Sequence, residues 1–119
     1  MKKVVVVDDD ASIVRILCKV IESLGCVAEG FTSPVLALDS VIKCRPDVLV
    51  VDMMMPVADG IQFLRECRKK GIDSPAMMIT GYTDITTTRM LPSNGIKKIL
   101  PKPVRIGELT TELQLMLEE

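Results

Sequence analysis

Residues 48 to 51 read Val-Leu-Val-Val, and the run stops at a carboxylate, Asp52. Three of the four are β-branched and none is polar. A strand that is apolar at every position has neighbours on both faces, which is the situation of a parallel sheet covered by helices, not of a half-wet antiparallel one. The chain repeats this device. Val4 to Val7 ends in Asp8, Asp9 and Asp10, Pro75 to Ile79 ends in Thr80, and Ile96 to Leu100 leads into Pro101, Lys102 and Pro103. A weaker strand, Cys26 to Phe31, makes five.

Helical patterns fill the gaps. Ile13, Ile16, Leu17, Val20 and Leu24 form a stripe at spacings of three and four, and Gly25 ends it. Ser33-Pro34 supplies an N-cap followed by proline at the first helical position, and Val35, Leu38, Val41 and Ile42 give that helix a buried face, closed by Arg45-Pro46. Asp59-Gly60 opens a third helix with Ile61, Phe63, Leu64 and Cys67 inside, ending in Lys69-Lys70-Gly71, where cations suit the helix dipole. Asp84 to Gly95 takes the place of a fourth, but Thr86 to Thr88 are poor helix formers and Pro92 interrupts the ladder, so the spacing predicts a short or mobile element. Ile106, Leu109, Leu113, Met116 and Leu117 define a terminal helix. Strand and helix alternate five times, which predicts an α/β fold and a single domain over residues 1–119.

Composition removes several function classes. The formal charge is -1, leaving no electrostatic footprint for nucleic acid or an anionic membrane. With no histidine in the chain, His-based metal sites and Ser-His or Cys-His nucleophile pairs are excluded. Cys18, Cys26, Cys44 and Cys67 form no Cys-x-x-Cys pair and read as small core residues in a reducing compartment. The apolar start is too short for a signal peptide, and no stretch approaches the roughly 20 apolar residues of a membrane span. A cytoplasmic location is the expectation.

In open parallel sheets reactive groups collect at the carboxyl ends of the strands. Those ends carry Asp8-Asp9, Asp52, Thr80 and Lys102, so a parallel arrangement gathers three carboxylates, a hydroxyl and an ammonium. Like charges raise one another's pKa, and something positive must offset them. A hard divalent cation suits, Mg²⁺ best, because it takes oxygen ligands from one or two carboxylates and completes its shell with water and phosphate. Lys102 adds a positive charge able to hold a phosphoryl oxygen, and Thr80 can donate to another. Asp52 is then available as a nucleophile that forms an acyl phosphate.

Val-Val-Asp-Asp-Asp at 6 to 10, Asp-Met-Met-Met-Pro-Val-Ala-Asp-Gly at 52 to 60, Ile-Thr-Gly-Tyr at 79 to 82 and Leu-Pro-Lys-Pro at 100 to 103 resemble the receiver domains of two-component response regulators. The resemblance covers essentially the whole chain. It implies a three-layer αβα sandwich on a five-stranded parallel sheet of order 2-1-3-4-5 with five helices. It implies that Asp52 is the phosphoacceptor, with Mg²⁺ or Mn²⁺ held by Asp9, Asp52 and the Met54 backbone carbonyl, and by Asp8 through water. Thr80 matches the switch hydroxyl, Lys102 the phosphate-binding lysine, and Lys102-Pro103 the family's cis peptide. The implied partner is a sensor histidine kinase or phosphotransfer protein. The implied output is a switch of the surface around the fourth and fifth helices, in a stand-alone receiver or the front piece of a longer regulator; pairing of two copies through the last helices fits the same pattern.

Four positions modulate this expectation. Ile99 stands where receivers usually carry an aromatic residue that turns inward with the switch hydroxyl. Met54 and Tyr82 are bulky where the family flanks the path of attacking water, which predicts a shielded, long-lived acyl phosphate. Gly81 leaves space beside the acceptor. Two other functions compete: a receiver-like interaction module that signals without phosphate, and a Mg²⁺-dependent aspartyl-phosphate phosphatase of the haloacid dehalogenase type. The latter places a second aspartate where this chain has Met54.

Overall fold

A computed structural model of the chain describes residues 1–53, 55, 60–81 and 94–118. Five strands, β1 (Lys3–Val7), β2 (Val27–Phe31), β3 (Val48–Asp52), β4 (Ala76–Thr80) and β5 (Ile96–Pro101), form one sheet of order β2-β1-β3-β4-β5. Every pairing is parallel. The three central strands bury nearly all their residues, which is why they read as unbroken apolar runs. β2 lies at an edge and carries Glu29 and Gly30, which explains its weaker signal.

Among the described residues four helices cover the sheet: α1 (Ala11–Ser23), α2 (Pro34–Cys44), α3 (Gly60–Lys69) and a terminal helix (Ile106–Glu118). Side chains alternate along each strand, so each feeds two cores. Val5, Val7, Leu49, Val51, Ala76 and Met78 pack with Ala37 and Val41 of α2 and Phe63, Leu64 and Cys67 of α3. Val4, Val6, Val48, Val50, Met77 and Ile79 pack with Leu17 and Ile21 of α1 and Leu109 and Leu113 of the terminal helix. The three-layer αβα sandwich follows. Residues 84–93 of the helix expected over 84–95, and with them its predicted shortness, lie outside the described residues. No described helix is long and apolar enough to cross a membrane.

The expected helix faces need correction in three places. In α1 the sheet is met by Val14, Leu17 and Ile21, while Ile16 is exposed. Its apolar residues admit two overlapping stripes that share Leu17, and the cap chooses between them: Asp10 accepts from the Ser12 and Ile13 amides and fixes the helix's starting angle. In α2 the sheet takes Ala37 and Val41, while Val35 and Ile42 are exposed. Val35 to Leu38 are apolar all round the helix, so spacing alone selects no face. Ile106, at the start of the terminal helix, is about half exposed, and burial begins at Leu109.

Candidate functional site

The site is built by counting residues. Val48 and Val50 point into the core beneath α1 and the terminal helix, and the two-residue period assigns Asp52 to the same row. Val4 and Val6 set the same row for Asp8, and Leu100 sets it for Lys102. Parallel pairing in register brings these rows side by side, and their polar ends meet at one edge of the sheet. Thr80 belongs to the opposite row, with Ala76 and Met78, and is fully buried at the end of β4.

Lys102 bridges the acids. Its Nζ lies 3.3 Å from Asp52 Oδ2 and 3.6 Å from Asp8 Oδ2. Both carboxylates are almost wholly buried, whereas Lys102 stays 28 % exposed. Asp8, Asp9 and Asp52 each present an oxygen within 4.8 Å of the others, and of the three only Asp9 is exposed to solvent. Burial pushes the Asp8 carboxyl above its ordinary range, against the opposing pull of the Asp10 amide and the Lys102 ammonium. Burial also pulls the Lys102 pKa down, but Asp8 and Asp52 outweigh it and hold the ammonium above its ordinary value.

The backbone anchors this constellation. The Asp8 amide donates to the Phe31 carbonyl at 3.1 Å, and the Lys102 amide to the Thr80 carbonyl at 2.8 Å, so each site residue is tied to the neighbouring strand. The Asp10 amide donates to Asp8 Oδ1 at 2.9 Å, holding that carboxylate from below. The Lys102-Pro103 bond is cis. Sequence reasoning named Asp10 only as the third acid after the first strand and gave it no role, whereas its side chain is the N-cap of α1. The signal was available: an aspartate directly before an apolar helical stripe is a cap pattern.

Other expected positions divide. Among the described residues nothing lies within 4 Å of where a Cβ on Gly81 would stand. Ile99 is partly buried against the core under α2 and α3. Met54 and Tyr82, with the roles assigned to the Met54 carbonyl and to shielding of an acyl phosphate, lie outside the described residues.

The acidic cluster fits a hard divalent cation. Among the described residues Asp8 Oδ2 is buried and accepts no hydrogen bond, with the Lys102 ammonium as its counter-charge. Three carboxylates sharing so small a volume are an oxygen-rich, strongly negative donor set of the kind that Mg²⁺ or Mn²⁺ takes.

Comparison with known proteins agrees with this geometry. A family model described as the response regulator receiver domain matches residues 4–114. The response regulator MprA of Mycobacterium avium (strain 104) is 32 % identical over 115 residues, covering 97 % of this chain and 50 % of that protein. The chain therefore spans about half the length of the curated relatives it matches. The chemotaxis protein CheY4 of Vibrio cholerae superposes with a TM-score of 0.88 at 28 % identity, over 98 % of this chain and 99 % of the other. The receiver domain of Francisella response regulator 1452 superposes with a TM-score of 0.89 at 28 % identity, over 99 % and 98 %.

Proposed function

The chain belongs to the response regulator receiver domain family, and from that premise we propose that it takes a phosphoryl group on Asp52 from a phosphohistidine donor. One observation carries the reading: a single ammonium within 3.6 Å of two buried carboxylates, with a third carboxylate beside them. A carboxylate oxygen of Asp52 attacks the phosphorus, the P–N bond to the donor imidazole, protonated on its other ring nitrogen, breaks, and the products are an acyl phosphate and a neutral imidazole. Lys102 meets the negative charge arriving on the phosphoryl oxygens. Thr80, at the tip of the adjacent strand, donates its hydroxyl to one of them and shifts as it does so. Asp9 and Asp52 would hold Mg²⁺ or Mn²⁺ directly and Asp8 through water, with the Met54 carbonyl, outside the described residues, as the remaining expected ligand. When bound, the cation neutralises the phosphoryl oxygens during transfer.

The donor is a sensor histidine kinase or phosphotransfer protein, which places the chain in the cytoplasm. Because such a donor carries its phosphoryl group on a protein side chain, its own surface must close over the mouth of the site. Beside that mouth runs a groove of about 330 Å³ lined by Ile13, Ile16, Pro103, Val104 and Ile106, with Lys102 in its wall. Ile16 and Ile106 are each about half exposed, offering apolar area to a docking helix. The phosphorylated state is read by a partner at the surface around residues 84–95 and the terminal helix. Ile99 stands in place of an aromatic residue, and the readout expected instead, through the Thr80 to Asp84 loop, falls on residues of which 82–84 lie outside the described ones.

The test is direct. The protein is incubated with Mg²⁺ and acetyl phosphate and its intact mass is measured. One added phosphoryl group is expected, absent in Asp52→Asn and absent with chelator. No addition to the wild type would favour the interaction module that works without phosphate; addition that survives in Asp52→Asn would move the acceptor elsewhere.

A further inference from the structure

Asp52 is held along its backbone from two sides. On one side its Cα is the register partner of Ile79, and the Met53 amide donates to the Ile79 carbonyl at 2.8 Å. On the other stands Gly60, the first residue of α3, whose amide donates to the Met53 carbonyl at 2.8 Å. Gly60 is buried, and a Cβ built on it would lie 2.5 Å from the Asp52 carbonyl oxygen, 2.7 Å from Met78 Cε and 2.9 Å from Val51 Cγ1. Its φ lies outside the left-handed region that favours glycine, so glycine stands here for space and not for backbone freedom. The Met78 methyl can swing aside. The Asp52 oxygen belongs to the peptide next to the acceptor's own Cα, and it cannot retreat without turning the backbone that aims the carboxylate.

We propose that Gly60 is a positioning residue for phosphoryl transfer. By lacking a side chain it lets α3 seat directly on the Asp52 peptide, and that seat sets where the Asp52 carboxylate stands relative to Asp8, Asp9 and Lys102. The inference rests on the reading of Asp52 as phosphoacceptor and deepens it. Displacing a reacting group by about 1 Å is enough to slow a reaction roughly 100-fold, so even a methyl group at this position is felt in the chemistry.

Gly60→Ala is compared with Gly71→Ala, at the far end of the same helix. Gly71 has φ +80° and, among the described residues, nothing within 4 Å of a Cβ built on it, so alanine there strains the chain without touching Asp52. Three quantities are measured at a temperature where all variants are folded: melting midpoint, Mg²⁺ affinity from amide chemical shifts, and the rate of phosphorylation by acetyl phosphate at saturating Mg²⁺. Gly60→Ala is expected to weaken Mg²⁺ binding about fivefold or more and to slow phosphorylation about 100-fold. Gly71→Ala is expected to lower the melting midpoint and leave the other two unchanged. Adding Met78→Leu to Gly60→Ala, which takes away the Met78 methyl contact but leaves those with Val51 and the Asp52 carbonyl, is expected to restore neither. Wild-type affinity and rate in Gly60→Ala, or full restoration by Met78→Leu, would overturn the proposal.

A second measurement needs no variant, which covers the case in which Gly60→Ala does not fold. Site and seat are linked reciprocally, so Mg²⁺ should slow hydrogen exchange of the wild-type Gly60 amide about fivefold while leaving the Val41 amide of α2 unaffected. Equal exchange of the Gly60 amide with and without Mg²⁺ would count against the proposal. Wild-type protein that accepts no phosphoryl group overturns both readings; wild-type protein that accepts one, beside a Gly60→Ala variant that matches it, overturns this one alone.

Discussion

Asp8, just past the end of β1, and Glu29, on the neighbouring strand β2, are carboxylates driven in opposite directions. Burial raises the Asp8 pKa, while hydrogen bonds from Lys3 and Ser40 lower that of Glu29. Glu29 has its own lysine 2.6 Å away and a serine hydroxyl on its other oxygen. Asp8 shares one lysine with Asp52, at a longer distance, and crowds against two more acids. The same fold can therefore satisfy a carboxylate when only structure is at stake. Among the described residues the acids of the cluster have only Lys102 as a counter-charge, and under the proposed function a bound cation would supply the rest.

This contrast can be broken by experiment. Lys102→Met removes the shared counter-charge, and phosphorylation of Asp52 should fall about 100-fold or more, measured as the initial rate by intact mass. Lys3→Met, which strips Glu29 of its lysine, should leave that rate within about twofold. If both variants phosphorylated alike, the special status of the mouth would be lost.

Next in size is the effect of the cation itself. At about ten times its dissociation constant Mg²⁺ should stabilise the wild type by about 1.4 kcal/mol, seen as a rise in melting midpoint that chelator reverses. The rise should vanish in an Asp9→Asn, Asp52→Asn double variant and persist in Glu29→Gln.

Asp8→Asn and Glu29→Gln should then move stability in opposite directions without divalent cations. Because its folded pKa is raised, Asp8 contributes stability that is fully present below its ordinary value of 3.8 and lost as pH rises through the folded value. At pH 7 its charge is a burden, so Asp8→Asn should stabilise the protein by about 1 kcal/mol in denaturant titrations. Glu29 has a lowered pKa; its contribution is present above the ordinary value of 4.5 and lost as pH falls through the folded one. Glu29→Gln should destabilise at pH 7, but only by a few tenths of a kcal/mol, since the side chain is 38 % exposed and solvent screens the pair. A destabilised Asp8→Asn would refute the contrast.

Strand ends were the legible part of this molecule. Val48 to Val51 and Val4 to Val7 announce central parallel strands because nothing but burial on both faces explains them, and once the strands are parallel Asp8, Asp52 and Lys102 must converge. Helix faces were harder to read. Ile16, Val35 and Ile42 were expected inside and stand exposed, because α1 and α2 carry more apolar residues than one stripe needs and the choice is made by the cap and by the fit of a small residue such as Ala37. Gly60 was legible as the opening of a helix. The reason for glycine there was not, since the Asp52 carbonyl that crowds it is eight residues away in sequence and comes near only through the fold.

The row alternation along β3 also bears on how such a chain can change. Exchanges there among valine, leucine, isoleucine and methionine cost packing energy but keep the parity and so leave Asp52 on its face. Deleting any one residue between Val48 and Val51 would deliver residue 52 to the opposite face, leaving a well-stocked interior and no β3 carboxylate in the mouth. What the strand must keep is arithmetic more than identity, so an inserted or deleted residue should be tolerated only in the connections between elements.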